Sequence, residues 1–396
     1  MDKNKKKLLF VMNSLHCGGA EKALISLLQT IDYSNYTVDL FLFKHEGLFL
    51  NQLPQEVTLL QVAKEYKYFE MSLKKAILSN LKVLNFKLIL FRILVGFVYK
   101  SKASLTQKEQ KVWQYVSNFI PNLTTKYDVA IGYMENTPNL FCIDKVTATK
   151  KIGFVHNDYN RLQMDKNLDY PYFLKFDKIV TVSELCKAIL IENFPNLSEK
   201  FEVMHNIVSS SAILKLAQEP IDFEPKGITL ISMGRLSKPK GFDVAIEAFK
   251  IVIDNNNDAY WYILGGGEER ENLEALIAKN KLQERFILLG IKENPYPYLR
   301  KATIYVQPSR FEGKPIAIDE AKILNKPMVI ANFSTAKDQI NDGVDGIIVN
   351  LEAKLLANKL ELLIKDASLR NTFATELSKK NHGTEQQIEV FYNLLQ

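Results

Sequence analysis

The sequence predicts an α/β protein of two domains, each built on a parallel sheet, and three observations point there. Short apolar runs bounded by polar turns recur along the chain, separated by helical patterns; a parallel sheet covered on both faces requires this alternation. The pattern pauses at Ser210 to Gly227, which holds two prolines and little periodicity, and then restarts, as across a linker. A chain of 396 residues can bury two separate cores.

In chain order, KKLLFVMNS is the first strand, Glu21 to Thr30 a helix and Tyr36 to Phe43 a second strand. Asp128 to Tyr133, Lys151 to His156 and Lys178 to Ser183 repeat the style, and Phe201 to Asn206 closes a first domain spanning 1–209. The second domain, 210–375, reads ITLISMGR, a helix through Asp243 to Val252, AYWYILGGG, a helix through Leu273 to Lys279, FILLG, ATIYVQPS, a helix after Pro315, PMVIAN and GIIVN. Lys354 to Leu363 and Thr384 to Leu395 are helical. Ligand groups beyond the carboxyl ends of two such sheets would face one another across a cleft.

Composition narrows the class. With 47% apolar and 24% charged residues the usage is globular, and 51 Lys+Arg against 45 Asp+Glu leave +6, too small an excess to imply nucleic acid. Cys17, Cys142 and Cys186 are widely spaced and odd in number, which suggests a reducing compartment and no cysteine-rich metal site. The N-terminus offers five apolar residues, Leu8 to Met12, before Asn13 and Ser14, too few for a secretory signal. The most apolar region, Leu81 to Tyr99, is interrupted by Lys82, Lys87 and Arg92 and should not span a bilayer. The expected location is cytoplasmic.

After the first strand, Gly18-Gly19-Ala20-Glu21 leads into a helix. Such a pair lets backbone approach an anion at a helix start, and it also fits an ordinary βα turn. A nicotinamide site would want Gly-x-Gly-x-x-Gly and an acid ending the second strand; the glycines are adjacent and Asp39 lies inside its strand.

The second half carries more. Gly234-Arg235-Leu236 follows a strand and Lys240-Gly241 precedes a helix. A rigid guanidinium fork and a mobile ammonium suit a diphosphate, or form a solvated basic loop. Gly265-Gly266-Gly267 gives backbone access after the next strand, though a flexible turn would look the same. In PSRFEGKPIAIDEA, Pro315 can open a helix. The N–H groups of Gly313, Lys314 and Ile316 would then point from its start toward a phosphate or sugar hydroxyl. Glu312 and Glu320 could accept hydrogen bonds from separate hydroxyls, or be two surface acids.

Together these residues resemble retaining glycosyltransferases of glycosyltransferase family 4, which have the GT-B architecture of two facing Rossmann-like domains. The resemblance runs from Gly18-Gly19-Ala20-Glu21 through Gly234-Arg235-Leu236 and Lys240-Gly241 to Glu312 and Glu320, and the last pair is its most specific part. It implies that a C-terminal helix, 376–396, crosses back to the first domain. It also implies a nucleotide-sugar donor, here a UDP-sugar. Gly18 and Gly19 would approach the diphosphate, and His156 the donor sugar near the reacting carbon. Arg235 and Lys240, with Gly234 and Gly266 nearby, would bind diphosphate. Glu312 would meet the sugar hydroxyls, Gly313, Lys314, Pro315 and Ile316 would form the adjoining phosphate loop, and Glu320 would hold the ribose. Transfer of a hexosyl or N-acetylhexosaminyl group would retain configuration, with no protein nucleophile, no tightly bound cofactor and no metal requirement. Phe333-Ser334-Thr335-Ala336-Lys337-Asp338-Gln339 stands where many relatives have a glycine pair and a glutamate, as in variants from bacterial surface-polysaccharide and teichoic-acid-type enzymes.

Between Lys64 and Lys111 lie eleven Lys or Arg and three acids, a local +8. On a helical wheel Lys82, Asn85 and Arg92 share a sector beside wide apolar faces. This fits an interfacial helix on anionic lipid and also a core helix whose lysines reach solvent. The resemblance favours a lipid-linked or cell-surface glycan acceptor, with the protein peripheral on the inner face of the plasma membrane. Two rivals remain: a GT-B nucleotide-sugar hydrolase or epimerase, and a nucleic-acid binder using Tyr66, Tyr68 and Phe69, around which no recognisable module appears.

Overall fold

The structure is a computed structural model and describes residues 5–16, 18–62, 66, 71–81, 85–255 and 258–396. The chain forms two units: one from residues up to His16, Ala20–His205 and Ile388–Gln396, the other from Asn206–Gln387 together with Gly18 and Gly19.

In the first unit the apolar runs become β1 (Lys6–Met12), β2 (Tyr36–Leu42), β3 (Val57–Leu60), β4 (Lys126–Gly132), β5 (Thr147–Val155), β6 (Lys178–Thr181) and β7 (Phe201–Val203). They pair in parallel in the order β3-β2-β1-β4-β5-β6-β7. Leu9, Val11, Phe41, Ala130, Val155 and Ile179 on the sheet pack with Trp113, Phe141, Phe173 and Phe194 from the helices and loops covering it. The C-terminal helix Gln387–Leu394 adds to this unit. Phe391 stacks on Phe10 at 5.9 Å, Tyr392 on Tyr36 at 5.4 Å, and the Tyr392 hydroxyl accepts the Asp32 N–H at 2.8 Å.

The second unit holds β8 (Ile228–Met233), β9 (Ala259–Leu264), β10 (Phe286–Gly290), β11 (Ile304–Gln307), β12 (Met328–Ala331) and β13 (Ile347–Val349), parallel in the order β10-β9-β8-β11-β12-β13. Successive strand residues face opposite ways, and both faces are covered. Leu230, Ile263 and Val306 meet Phe249 and Leu360 on one side, while Ile231, Tyr305 and Ile330 meet Ile318 and Leu299 on the other. Two parallel sheets, each sandwiched by helices, are the architecture the alternating runs predict.

Several local expectations change. The segment read as a linker begins with a helix, Ser210–Leu216, whose N-cap Ser209 accepts the Ala212 N–H. The unit boundaries fall at His205/Asn206 and Gln387/Ile388, displaced from 209/210 and 375/376. The hydroxyl of Thr384 donates to Asn206 O at 2.6 Å and accepts the Val208 N–H at 2.8 Å, while Glu385 accepts the Ser210 N–H at 2.7 Å. Those bonds tie both flanks to the second unit, as does a helix absent from the sequence reading, Ala367–Ser378. The basic apolar region is two helices, Leu73–Leu81 and Phe86–Lys100, the second capped by Asn85 accepting the Leu88 N–H. No helix among the described residues is long and apolar enough to cross a membrane.

Candidate functional site

The groups in the second unit converge because three strand-to-helix loops pack backbone against backbone. The loop after β8 turns at Gly241 (φ +68°), where a Cβ would lie 2.0 Å from Pro308 O; the loop after β9 passes at Gly265 (φ +154°), where a Cβ would lie 1.9 Å from Gly234 O. Only glycine fits such an approach. The Leu236 N–H donates to Gly266 O at 2.9 Å and the Arg310 N–H to Pro239 O at 2.7 Å. Arg310 adds a bidentate pair with Asp243 at 2.8 and 2.6 Å, fixing the loop after β11 against the helix Phe242–Asp254. Sequence reasoning missed Arg310; it sits three residues beyond the end of β11, where only the fold supplies its partner.

Within this frame Lys240 and Glu312 meet. Lys240 Nζ lies 2.6 Å from Glu312 Oε1, which also accepts from Ser309 Oγ at 2.6 Å and Gln307 Nε2 at 3.0 Å. Ser309 in turn accepts from Gln307 Nε2 at 2.8 Å, and the buried Tyr305 hydroxyl donates to Gln307 Oε1. Burial, reinforced by the charges of Glu320 and Glu312, holds that phenol well above its ordinary pKa. Three donors on one oxygen of a buried carboxylate meet the cost of desolvating it and leave Oε2 as an acceptor. Tyr305 and Gln307 escaped the sequence reading because strand residues with this job look like ordinary core, and Ser309 because a loop serine looks like an ordinary turn residue.

The helix after this loop runs Ile316–Ile323, with Pro315 as its extended N-cap. Pro315 thus precedes the first helical residue rather than occupying it: its ψ of 114° is outside the helical range. Gly313 is buried and Lys314 half-buried; burial, with Lys322 nearby, draws the Lys314 ammonium below its usual pKa against the pull of Asp319 and Asp338. Glu320 falls in the second turn, buried, accepting from Tyr296 OH at 3.1 Å. The Thr335 hydroxyl donates to Glu312 O at 3.2 Å, so the variant segment 333–339 touches the site. Arg235 is exposed, and Gly234 and Gly266 are half-buried.

Gly18 precedes the helix Gly19–Thr30, and a Cβ at Gly19 would meet nothing within 4 Å. His156 follows β5 and is buried. Its Nε2 is 3.0 Å from Tyr133 O, and its ring lies 5.0 Å from Tyr133 and 5.6 Å from Phe154 between centroids. Burial lowers its pKa against opposing pulls from Glu135 and the Tyr133 carbonyl, which favours the neutral ring. Among the described residues no group of three His, Cys, Asp or Glu is placed to hold a metal.

In the basic segment, Arg92 is buried and its Nη2 donates to Met71 O at 2.6 Å. It turns inward and braces the two helices; Lys82, with which the helical wheel grouped it, lies outside the described residues, as do Lys64, Lys67, Tyr68 and Phe69. The segment's exposed apolar side chains include Phe86, Leu90 and Phe97, at 62, 55 and 65%.

Residues 216–380 match the family model described as "Glycosyl transferases group 1". An uncharacterised glycosyltransferase of Methanocaldococcus jannaschii is 28% identical over 265 residues, covering 58% of this chain and 65% of that protein. The N-acetylgalactosamine-N,N'-diacetylbacillosaminyl-diphospho-undecaprenol 4-alpha-N-acetylgalactosaminyltransferase of Campylobacter jejuni is 28% identical over 227 residues, covering 57 and 60%. The chain thus spans less than two thirds of the length of these curated relatives. A variant of Staphylococcus aureus TarM, solved with fondaparinux, alpha-GlcNAc-glycerol and UDP, superposes with a TM-score of 0.68 at 12% identity, over 98% of this chain and 99% of that one. That likeness shows the fold, two Rossmann-like domains of GT-B type.

Proposed function

We propose, from the group 1 glycosyltransferase match over residues 216–380, that this chain transfers a hexosyl or N-acetylhexosaminyl group from a UDP-sugar to a hydroxyl of a lipid-linked or cell-surface glycan, retaining anomeric configuration. The observation that carries the reading is the Lys240–Glu312 pair at 2.6 Å. It sets a mobile cation for a diphosphate beside a carboxylate oxygen free to accept a sugar hydroxyl. The C. jejuni relative's name specifies an undecaprenol-linked acceptor and an alpha linkage, and the TarM complex contains UDP; both support the choice of substrates.

In this mechanism the acceptor hydroxyl attacks the anomeric carbon on the face from which UDP leaves. The bond from that carbon to the diphosphate oxygen breaks, the glycosidic bond forms, and the hydroxyl proton passes to the departing diphosphate. Lys240 and Arg235 offset the charge growing on the leaving group, an interaction stronger in the transition state than in the bound donor. The N–H groups of Gly313, Lys314 and Ile316 add to it at the helix start. Glu312 Oε2 orients the sugar and Glu320 accepts from the ribose; the resemblance gives His156 a donor-sugar contact and Gly18-Gly19 a diphosphate contact.

The acceptor reading extends to location, cytoplasmic and peripheral on an anionic membrane. Phe86, Leu90 and Phe97 fall within about 40° of one another at about 100° per residue. From Met71 to Lys108 the sequence holds eight Lys or Arg and no acid. An exposed apolar stripe flanked by cations fits a bilayer of anionic lipid.

A screen of nucleotide-sugars with glycan and polyprenyl-linked acceptors, read by mass, tests the function. One sugar added to an acceptor supports it. Donor consumption with free sugar or a changed sugar, and no adduct, would point instead to a hydrolase or epimerase.

A further inference from the structure

We infer that Glu135 is the positioning residue that holds His156 with its Nδ1 lone pair available to a donor-sugar hydroxyl. The inference rests on the proposed donor-sugar contact of His156 and adds a residue that no motif marks. Glu135 is buried just beyond β4. Its Oε2 accepts the His156 backbone N–H at 3.0 Å and its Oε1 accepts Asn157 Nδ2 at 2.9 Å.

The position explains the need. The β4–β5 ladder ends at Gly132↔Gly153, so at His156 no backbone bond from β4 continues the sheet. Glu135 replaces it with a side chain. Both of its partners are donors, and of the common side chains only a carboxylate presents two acceptor oxygens. A buried charge is costly and an apolar filler would serve stability as well or better; a carboxylate here serves geometry. The next residue, Asn136, takes a left-handed φ of +69° and donates Nδ2 to Glu109 Oε2 at 3.0 Å, which fixes the turn carrying Glu135.

The ring is held as firmly as the backbone. A carbonyl can only accept, so the 3.0 Å contact to Tyr133 O assigns the proton to Nε2. Nδ1 then carries the lone pair, and His156 accepts a hydroxyl hydrogen instead of donating a proton. Removing Glu135 releases the main chain at His156 and with it the ring's register on Tyr133.

The test pairs kinetics with nitrogen NMR of the imidazoles on Glu135→Ala, Glu135→Gln and His156→Ala. Glu135→Ala is expected to lose at least tenfold in kcat with donor KM within threefold. Glu135→Gln, which keeps one acceptor for the His156 N–H, is expected to recover at least a third of that loss on a logarithmic scale. The wild-type His156 signals should report the Nε2–H tautomer, and Glu135→Ala should shift them toward a tautomer mixture. Unchanged His156 signals in Glu135→Ala overturn the positioning role, as does equal loss in both Glu135 variants accompanied by equal falls in Tm. His156→Ala within twofold of wild type overturns the donor contact itself, and hence the hydroxyl-accepting role, whatever Glu135 does.

Discussion

Glu312 and Lys240 are seventy-two residues apart in sequence and 2.6 Å apart in space, and their pairing makes a sharper prediction than either charge alone. In the proposed function the lysine exchanges a carboxylate for a diphosphate when donor binds, while the carboxylate keeps an oxygen for the sugar. Glu312→Gln weakens the first partner and the second function together. UDP is therefore expected to bind the variant at least as tightly as the wild type, by calorimetry, while transfer falls at least tenfold. UDP affinity lost in step with turnover would place Glu312 on the nucleotide instead. At this scale Lys240 and Glu312 stood out in the sequence because Lys and Glu beside glycines at strand ends carry recognisable chemistry, while Arg310 did not. Tyr296 and Glu135 did not either, since each matters through a partner distant in sequence, and Gln307 and Ser309 bond Glu312 within a few residues without forming a recognisable motif.

Helices and their faces carry the next level. The helix Lys166–Phe173 is tied to Leu105–Val116 through Asp169, which accepts from Gln110 Nε2 at 2.8 Å and from Tyr159 OH at 2.5 Å. Burial pushes the Asp169 carboxyl up from 3.8 to about 6 despite those two hydrogen bonds, which lower it. A carboxyl whose folded pKa exceeds its unfolded one binds more protons when folded, so its contribution favours folding at low pH and is lost as pH rises from about 4 to 6. That loss is about 3 kcal/mol. Urea unfolding of Asp169→Asn should show a flatter stability profile than wild type across this window; parallel profiles would contradict it. The stripe on Phe86–Lys100 makes a second prediction. Phe86→Ser with Phe97→Ser should abolish sedimentation with anionic vesicles and leave UDP affinity intact. Wild-type protein that ignores such vesicles at low salt would refute the membrane face, and a dimer broken by the same substitutions would assign it to a second copy. The sequence wheel treated Leu81 to Tyr99 as continuous; Asn85 caps a new helix, and the cation chosen for lipid, Arg92, turns inward to Met71 O. Periodicity reports a helix's polar side but not which polar group finds a buried carbonyl.

For the whole molecule, the alternation of apolar runs foretold two parallel sheets because strands buried on both faces need continuous Val, Ile, Leu and Phe, and Leu230 beside Ile231 serves one face each. The short edge strand Val57–Leu60 and the helix Ala367–Ser378 were hidden, the first by its brevity and half-buried pattern, the second by weak amphipathicity. The unit boundaries were blurred because Thr384 and Glu385 bond to residues 206–210, long-range pairings that local composition does not record. The central claim is that this chain moves a sugar from a UDP-sugar with retention. Proton NMR of the reaction, following the anomeric signal from donor to product, tests it most directly. The account predicts a new glycosidic linkage whose anomeric coupling matches that of the donor; a linkage of opposite configuration, or donor left unconsumed beside every acceptor offered, would contradict it.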